Sequence, residues 1–122
     1  MPPGWVPATF LLAEAEGRVV GRVSIRHELN AFLAEFGGHI GYAVRPTFRR
    51  RGYATDILRQ SLHVAQRLGI ERALVTCGVD NVGSAKVIEK CGGVFEGVAP
   101  GRDGIAARRR YWIDCAATEH SR

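Results

Sequence analysis

Short apolar runs of period two alternate along the chain with two stretches of helical period, and glycine-containing turns separate them. "ATFLLAEA", Ala8 to Ala15, and "RVVGRVSI", Arg18 to Ile25, flank a Glu16-Gly17 pair and predict a hairpin. "NAFLAEF", Asn30 to Phe36, reads as a helical turn or a loop and leads into Gly37-Gly38. "HIGYAVRP", His39 to Pro46, predicts a buried strand that Pro46 ends, because proline has no N–H to give a ladder.

From Gly52 the period changes. Ala54, Ile57, Leu58, Leu62, Ala65 and Leu68 fall on one helical face, with Asp56 in the first turn, Arg67 in the last and Gly69 to close the helix. "RALVTCGV", Arg72 to Val79, predicts a second buried strand. Asp80-Asn81 then caps a helix that carries Val82, Ala85, Ile88 and Cys91 inward and stops at Gly92-Gly93. "VFEGVA" and "RRRYWIDC" predict two final strands around a turn-rich "PGRDG". The order is mixed α/β with a β-α-β crossover in the middle.

A length of 122 residues fits one domain, residues 1–122, with a single core and hence a single site to look for. The balance of 46% apolar and 24% charged residues is that of a soluble globular chain. No apolar run approaches the roughly 18 residues that span a bilayer. The start "MPPGWVPATF" lacks the basic region and long apolar core of a secretory signal, so the expected location is cytoplasmic. Cys77, Cys91 and Cys115 lack C-x-x-C spacing and read as reduced structural thiols, with no metal site.

The net charge of +5 comes from arginine, since Lys86 and Lys90 are the only lysines. Two clusters stand out, Arg49 to Arg51 and Arg108 to Arg110, and a basic surface suits nucleic acid, a membrane face or a polyphosphate alike. Position separates these choices. The first cluster lies between a strand and the amino terminus of an amphipathic helix, where unpaired N–H groups and the helix dipole attract anions. Gly52 lets backbone approach such a ligand, and small Ala54 leaves room beside it.

The segment Arg49-Arg50-Arg51-Gly52-Tyr53-Ala54 resembles the (Gln/Arg)-x-x-Gly-x-(Gly/Ala) motif of the GNAT family of acetyl-CoA-dependent N-acetyltransferases. Its setting, "GYAVRPTFRRRGYAT", follows the family's order of strand, proline, basic-glycine loop and helix. Downstream, Asn81, Ser84, Lys90 and Gly92 in "DNVGSAKVIEKCGGVFEG" resemble the family's second motif. "GHIGYAVRP" with "NVGSAKVIEKCGG" is similar in particular to a group of predicted acetyltransferases in that family, and the resemblance covers roughly Ala8 to Asp114.

The resemblance implies a GNAT-like, mostly antiparallel sheet with a splayed pair of central strands, and acetyl-CoA as cosubstrate. It implies that main-chain amides from Arg50 to Thr55, that is Arg50, Arg51, Gly52, Tyr53, Ala54 and Thr55, cradle the pyrophosphate while Arg49 adds charge. Tyr42, Ala43 and Val44 would pair with the pantetheine arm as an added strand, and Asn81, Ser84 and Lys90 would line the other side. It also implies an acceptor that is a primary amine of a small molecule or peptide.

Acetyl transfer needs a neutral amine, a stabilised oxyanion and a protonated leaving thiolate. A main-chain N–H between His39 and Val44 is the expected oxyanion contact. Many family members place a tyrosine seven residues after the motif asparagine, and Ile88 stands there instead. Tyr42, Tyr53 and Tyr111 are the remaining phenols, with water as the other choice. Glu28 and His27 in "RHELN", and His39, are the candidate bases, Glu28 first because a carboxylate also attracts a cationic amine. Alternation places Arg108 and Arg110 on one face and Arg109 on the other; the cluster reads as a solvated edge, or as a contact for a 3′-phosphate or an acidic acceptor.

The family's usual first strand and two helices have no counterpart before the hairpin. The chain is then naturally short, a piece of a longer product, or completed by a second subunit as a homodimer, with Trp5 and Phe10 in "WVPATF" covering the core or joining a partner. Ile88 and the short start leave a competing reading, an acyl-CoA-binding or sensing module. A nucleic-acid partner is disfavoured, because stacking aromatics are not interleaved with the arginines.

Overall fold

The computed structural model describes residues 6–49 and 51–116, so Arg50 and Trp5 lie outside the described residues. Strand β1 (Ala8–Ala15) and strand β2 (Arg18–Arg26) form the expected hairpin. Glu16 and Gly17 both take positive φ, 55° and 77°, the conformation that two-residue hairpin turns demand. A short π-helical turn, Leu33–Gly37, buries Leu33 and Phe36, so "NAFLAEF" is a helical turn and not a loop.

Strand β3 (Ile40–Val44) pairs antiparallel with β2, and Pro46 opens a 3-10 turn over Pro46–Phe48. Helix α1 (Tyr53–Arg67), strand β4 (Arg72–Gly78), helix α2 (Val82–Lys90), strand β5 (Val94–Ala99) and strand β6 (Arg108–Asp114) follow. Among the described residues two three-stranded antiparallel sheets result, with orders β1-β2-β3 and β4-β6-β5.

Ile57, Leu58, Leu62 and Ala65 press α1 onto the core, while Val23, Ile25, Val75, Ile88 and Tyr111 meet them from the sheets and α2. Burying each of the larger side chains contributes about 1.5–3 kcal/mol. Two positions depart from the helical pattern. Leu68 is 40% exposed because it follows the last turn of α1, where Gly69 at φ 92° already breaks the helix. Val82, the first residue of α2 directly after the Asn81 cap, is 61% exposed, and Ala85 and Ile88 bury the helix instead.

All three cysteines are free and buried, and burial pushes each thiol up, that of Cys115 to about 11. Among the described residues no helix is long and apolar enough to cross a membrane.

Candidate active site

The crossover from β3 through α1 to β4 brings the two sheets together at one lip. The His39 N–H donates to the Leu74 carbonyl at 2.7 Å, and the Leu74 N–H donates to Nδ1 of His39 at 2.9 Å. Gly38, at φ 71°, permits this approach, since a Cβ there would sit 2.5 Å from the Leu74 carbonyl oxygen. Beyond the lip β3 and β4 are not laddered to one another, and a cleft opens between them.

Register decides which groups of β3 face that cleft. The main-chain N–H of Arg26 donates to the His39 carbonyl and that of Arg45 to the Val20 carbonyl, so the alternation of an antiparallel ladder turns Ala43 toward β2. The main-chain groups of Tyr42 and Val44 are then left on the open edge. The Val44 carbonyl accepts from Nε of Arg49 at 3.3 Å, which fixes that arginine at the mouth.

The outer cleft, about 570 Å³, runs from β3 to the amino termini of both helices. Gly52 precedes α1 in the left-handed region, φ 81°, and no heavy atom lies within 4 Å of where its Cβ would be. Glycine is needed there for its backbone conformation, and the vacant side points outward. Among the described residues no side chain caps α1, so its first N–H groups at Tyr53, Ala54 and Thr55 keep their capacity for an anion.

Arg51 lies over the Phe48 ring at 5.6 Å, and the Tyr53 ring meets Phe48 edge-on, so Tyr53 brings backbone and not its phenol to the cleft. On the opposite wall the Asn81 side chain caps α2 by accepting the Ser84 N–H at 3.1 Å. Lys90 is not brought to this cleft: it is exposed in the last turn of α2, about 13 Å along the axis from the cap at a rise of ~1.5 Å per residue.

An inner cavity of about 400 Å³ continues the cleft past Tyr42, Asn81 and Ser84, which line both spaces. The Tyr42 hydroxyl is buried at this junction without a hydrogen-bond partner at good geometry, although the Ser84 side chain lies near enough to offset part of the pKa rise that burial causes. Burial dominates and pushes the phenol up to about 12. It is a proton donor at neutral pH. Tyr53 faces away, and Tyr111, fully buried, donates to the Glu89 carboxylate, so Tyr42 alone of the three phenols faces the junction.

The candidate bases lie elsewhere. Glu28 is exposed on the loop after β2 and lines none of the cavities described. His27 shares a 2.7 Å hydrogen bond with the Thr9 hydroxyl. His39 is 8% exposed with Nδ1 occupied by Leu74, and burial lowers its pKa, so it is a neutral structural acceptor. The inner cavity instead contains Arg26 and Arg108. Arg26 carried no signal in the sequence, because the facing of β2 depends on its register with β3.

The pieces fit coenzyme A: a free strand edge, an anion loop with outward space, a second helix terminus and an unpartnered buried hydroxyl. A search of curated proteins finds no match. Among solved structures, a chimera of the spermidine N-acetyltransferase SpeG from Vibrio cholerae and hSSAT is 19% identical, with a TM-score of 0.71 over 92% of this chain and 69% of that one. The microcin C7 self-immunity acetyltransferase MccE, in complex with acetyl-CoA and AMP, is 23% identical, with a TM-score of 0.68 over 88% of this chain and 61% of that one. A Bacillus subtilis acetyltransferase in complex with CoA is 14% identical, with a TM-score of 0.69 over 88% of this chain and 76% of that one. At these identities the likeness is one of fold. A model of the acetyltransferase (GNAT) family matches residues 3–93. With three quarters of its length matched by that model, the chain belongs to the GNAT family of acetyltransferases.

Proposed function

We propose that the protein moves the acetyl group of acetyl-CoA to a primary amine of a small molecule or peptide. The observation that carries this reading is the open edge of β3, which runs from the anion loop at Gly52 to the buried Tyr42 hydroxyl. Main-chain groups of Tyr42 and Val44 would hold an extended arm as a strand, and the amides from Gly52 to Thr55, with Arg49 and Arg51, would hold its phosphates. Arg50, expected in the same loop, lies outside the described residues, and Lys90, exposed in the last turn of α2, takes no part in this assignment. Acetyl-CoA supplies a thioester whose C–S bond breaks as the amide C–N bond forms, the amine losing one proton and the thiolate gaining one.

This chain's groups divide that work. The Tyr42 hydroxyl donates the proton toward the sulfur, and a cleft-facing N–H of β3 meets the developing oxyanion. No carboxylate or imidazole lines the inner cavity among the described residues. The guanidinium groups of Arg26 and Arg108 lower the pKa of an amine placed beside them, because they disfavour a second positive charge. Deprotonation then passes to water.

The absence of a side-chain base from the cavity lining and the burial of Ile88 favour the second reading, an acyl-CoA-binding or sensing module. Nucleic acid has less to bind in the second arginine cluster: Arg108 holds Thr76, Arg109 lies over Phe95, and Arg110 pairs with Glu96. Calorimetric titration with acetyl-CoA and dephospho-CoA, followed by thiol release across an amine panel, tests the proposal. Micromolar binding with turnover supports the enzyme; binding without turnover favours the sensing module, and no binding by folded protein removes both.

A further inference from the structure

Arg26 and Arg108 enter the inner cavity from different elements, the end of β2 and the start of β6, and both are fixed on the protein side. Nη1 of Arg26 donates to the Gly37 and Gly38 carbonyls at 3.2 and 3.4 Å. Arg108 donates to the Thr76 carbonyl from Nη2 at 3.1 Å and to the Thr76 hydroxyl from Nε at 3.3 Å. Each guanidinium therefore keeps N–H groups beyond these bonds: Nε and Nη2 of Arg26, and Nη1 of Arg108.

Gly41 makes the position of Arg26 possible. A Cβ at that residue would lie 3.2–3.3 Å from the two terminal nitrogens of Arg26, so the missing side chain lets the guanidinium lie against β3. That spot is one residue from Tyr42, where the acetyl group is placed in the reading above. No Asp or Glu lines the cavity among the described residues, and the carboxylates nearby pair with other arginines, Glu35 with Arg102 and Glu96 with Arg110. Burial lowers the pKa of Arg26, an unfavourable position for a cation without a counter-charge.

We infer that the acceptor carries its own oxyanion group, in the simplest case the carboxylate of an amino acid, and that Arg26 and Arg108 hold it beside the reacting amine. The inference rests on the acetyltransferase reading and narrows it to one substrate class. Two forks anchored by backbone lose little freedom on binding a carboxylate, and charge-assisted bonds of this kind are short and strong. Phe32, Phe36 and Ile105 wall the same space, which suits an apolar or aromatic side chain on that amino acid. A polyamine would bring only positive charge into a cavity that already holds two cations. A phosphorylated amine shares the anionic chemistry, and the test separates it from a carboxylate.

The test begins with calorimetric binding of acetyl-CoA. Thiol release is then measured with the twenty α-amino acids, their carboxamides, O-phosphoethanolamine and spermidine. At least one amino acid should exceed its own carboxamide by tenfold or more in kcat/KM, with spermidine the poorest acceptor; a lead for O-phosphoethanolamine would assign the site to phosphate. Arg26→Gln should raise KM for the acid at least tenfold more than it changes KM for the carboxamide, while calorimetric affinity for acetyl-CoA stays within twofold, and Arg26→Lys should recover part of the loss.

Arg108→Gln is expected to act alike, and Arg26→Gln keeps the test open if loss of the Thr76 contacts unfolds that variant. Equal or better use of carboxamides or spermidine overturns the inference, as does acetyl-CoA binding with no anionic amine accepted. Failure to bind acetyl-CoA strikes the acetyltransferase reading itself, and the inference falls with it.

Discussion

His39 and Leu74 exchange two hydrogen bonds, one from main chain to main chain at 2.7 Å and one from the Leu74 N–H to the imidazole Nδ1 at 2.9 Å. A side-chain nitrogen thus takes the place of a carbonyl at the point where the sheets part. The arrangement requires a neutral ring with its proton on Nε2, and burial lowers the His39 pKa in agreement with it.

That lowered pKa gives stability a pH dependence with a definite sign. The unfolded chain binds a proton at His39 below its ordinary value of 6.5, and the folded chain resists it, so this contribution is complete above 6.5 and declines as pH falls toward the lower folded value. Thermal melts between pH 8 and 5 should show Tm dropping on the acid side. In His39→Gln, whose amide oxygen accepts without titrating, that part of the drop should vanish.

Gly52→Val tests the anion loop. A β-branched residue at φ 81° costs roughly 1–3 kcal/mol of stability and directs its side chain into the space assigned to the phosphates. Calorimetry should show acetyl-CoA affinity falling at least tenfold while circular dichroism retains the folded spectrum.

Tyr42→Phe removes the one phenol that faces the junction. Loss of about tenfold in kcat, at the low end for general acids because a thiolate is a good leaving group, should accompany unchanged acetyl-CoA affinity. In the parent protein the rate should climb with pH as the acceptor amine becomes neutral and show no falling limb up to about pH 10, since Tyr42 is held near 12. A falling limb near neutrality would remove Tyr42 from the donor role.

Ile88 occupies the position where many relatives carry a tyrosine, and here it is fully buried against Gly93. The gap is tight: a Cβ on Gly93 would stand 2.6 Å from an Ile88 methyl. Ile88→Tyr should therefore overpack the core, lowering stability by about 1–3 kcal/mol in denaturant titration, and should bring no gain in turnover.

Much of this architecture was legible in the sequence because it is local. Gly69 and Gly92 ended the helices, Asn81 capped α2 through Ser84, and Gly52 marked the loop before α1. What escaped depends on partners far along the chain. The sheet order β4-β6-β5 has no local signature, and Arg26 and Gly41 meet only because β2 and β3 pair in one register. His39 reads as a candidate base until its ring is seen to serve a residue 35 positions away. Lys90 fits a motif by spacing, yet the length of α2 carries it away from the cleft.

The lip at His39 and Leu74 also bears on how long the protein lasts. Two sheets joined at one end leave an unfilled strand position between them, and an arm laid along Tyr42 and Val44 would fill it as a seventh strand. Native protein would then be favoured by about 2.7 kcal/mol when free acetyl-CoA stands at a hundred times its Kd. That corresponds to a roughly hundredfold smaller unfolded population, and resistance to proteolysis would rise and fall with the supply of activated acetyl groups.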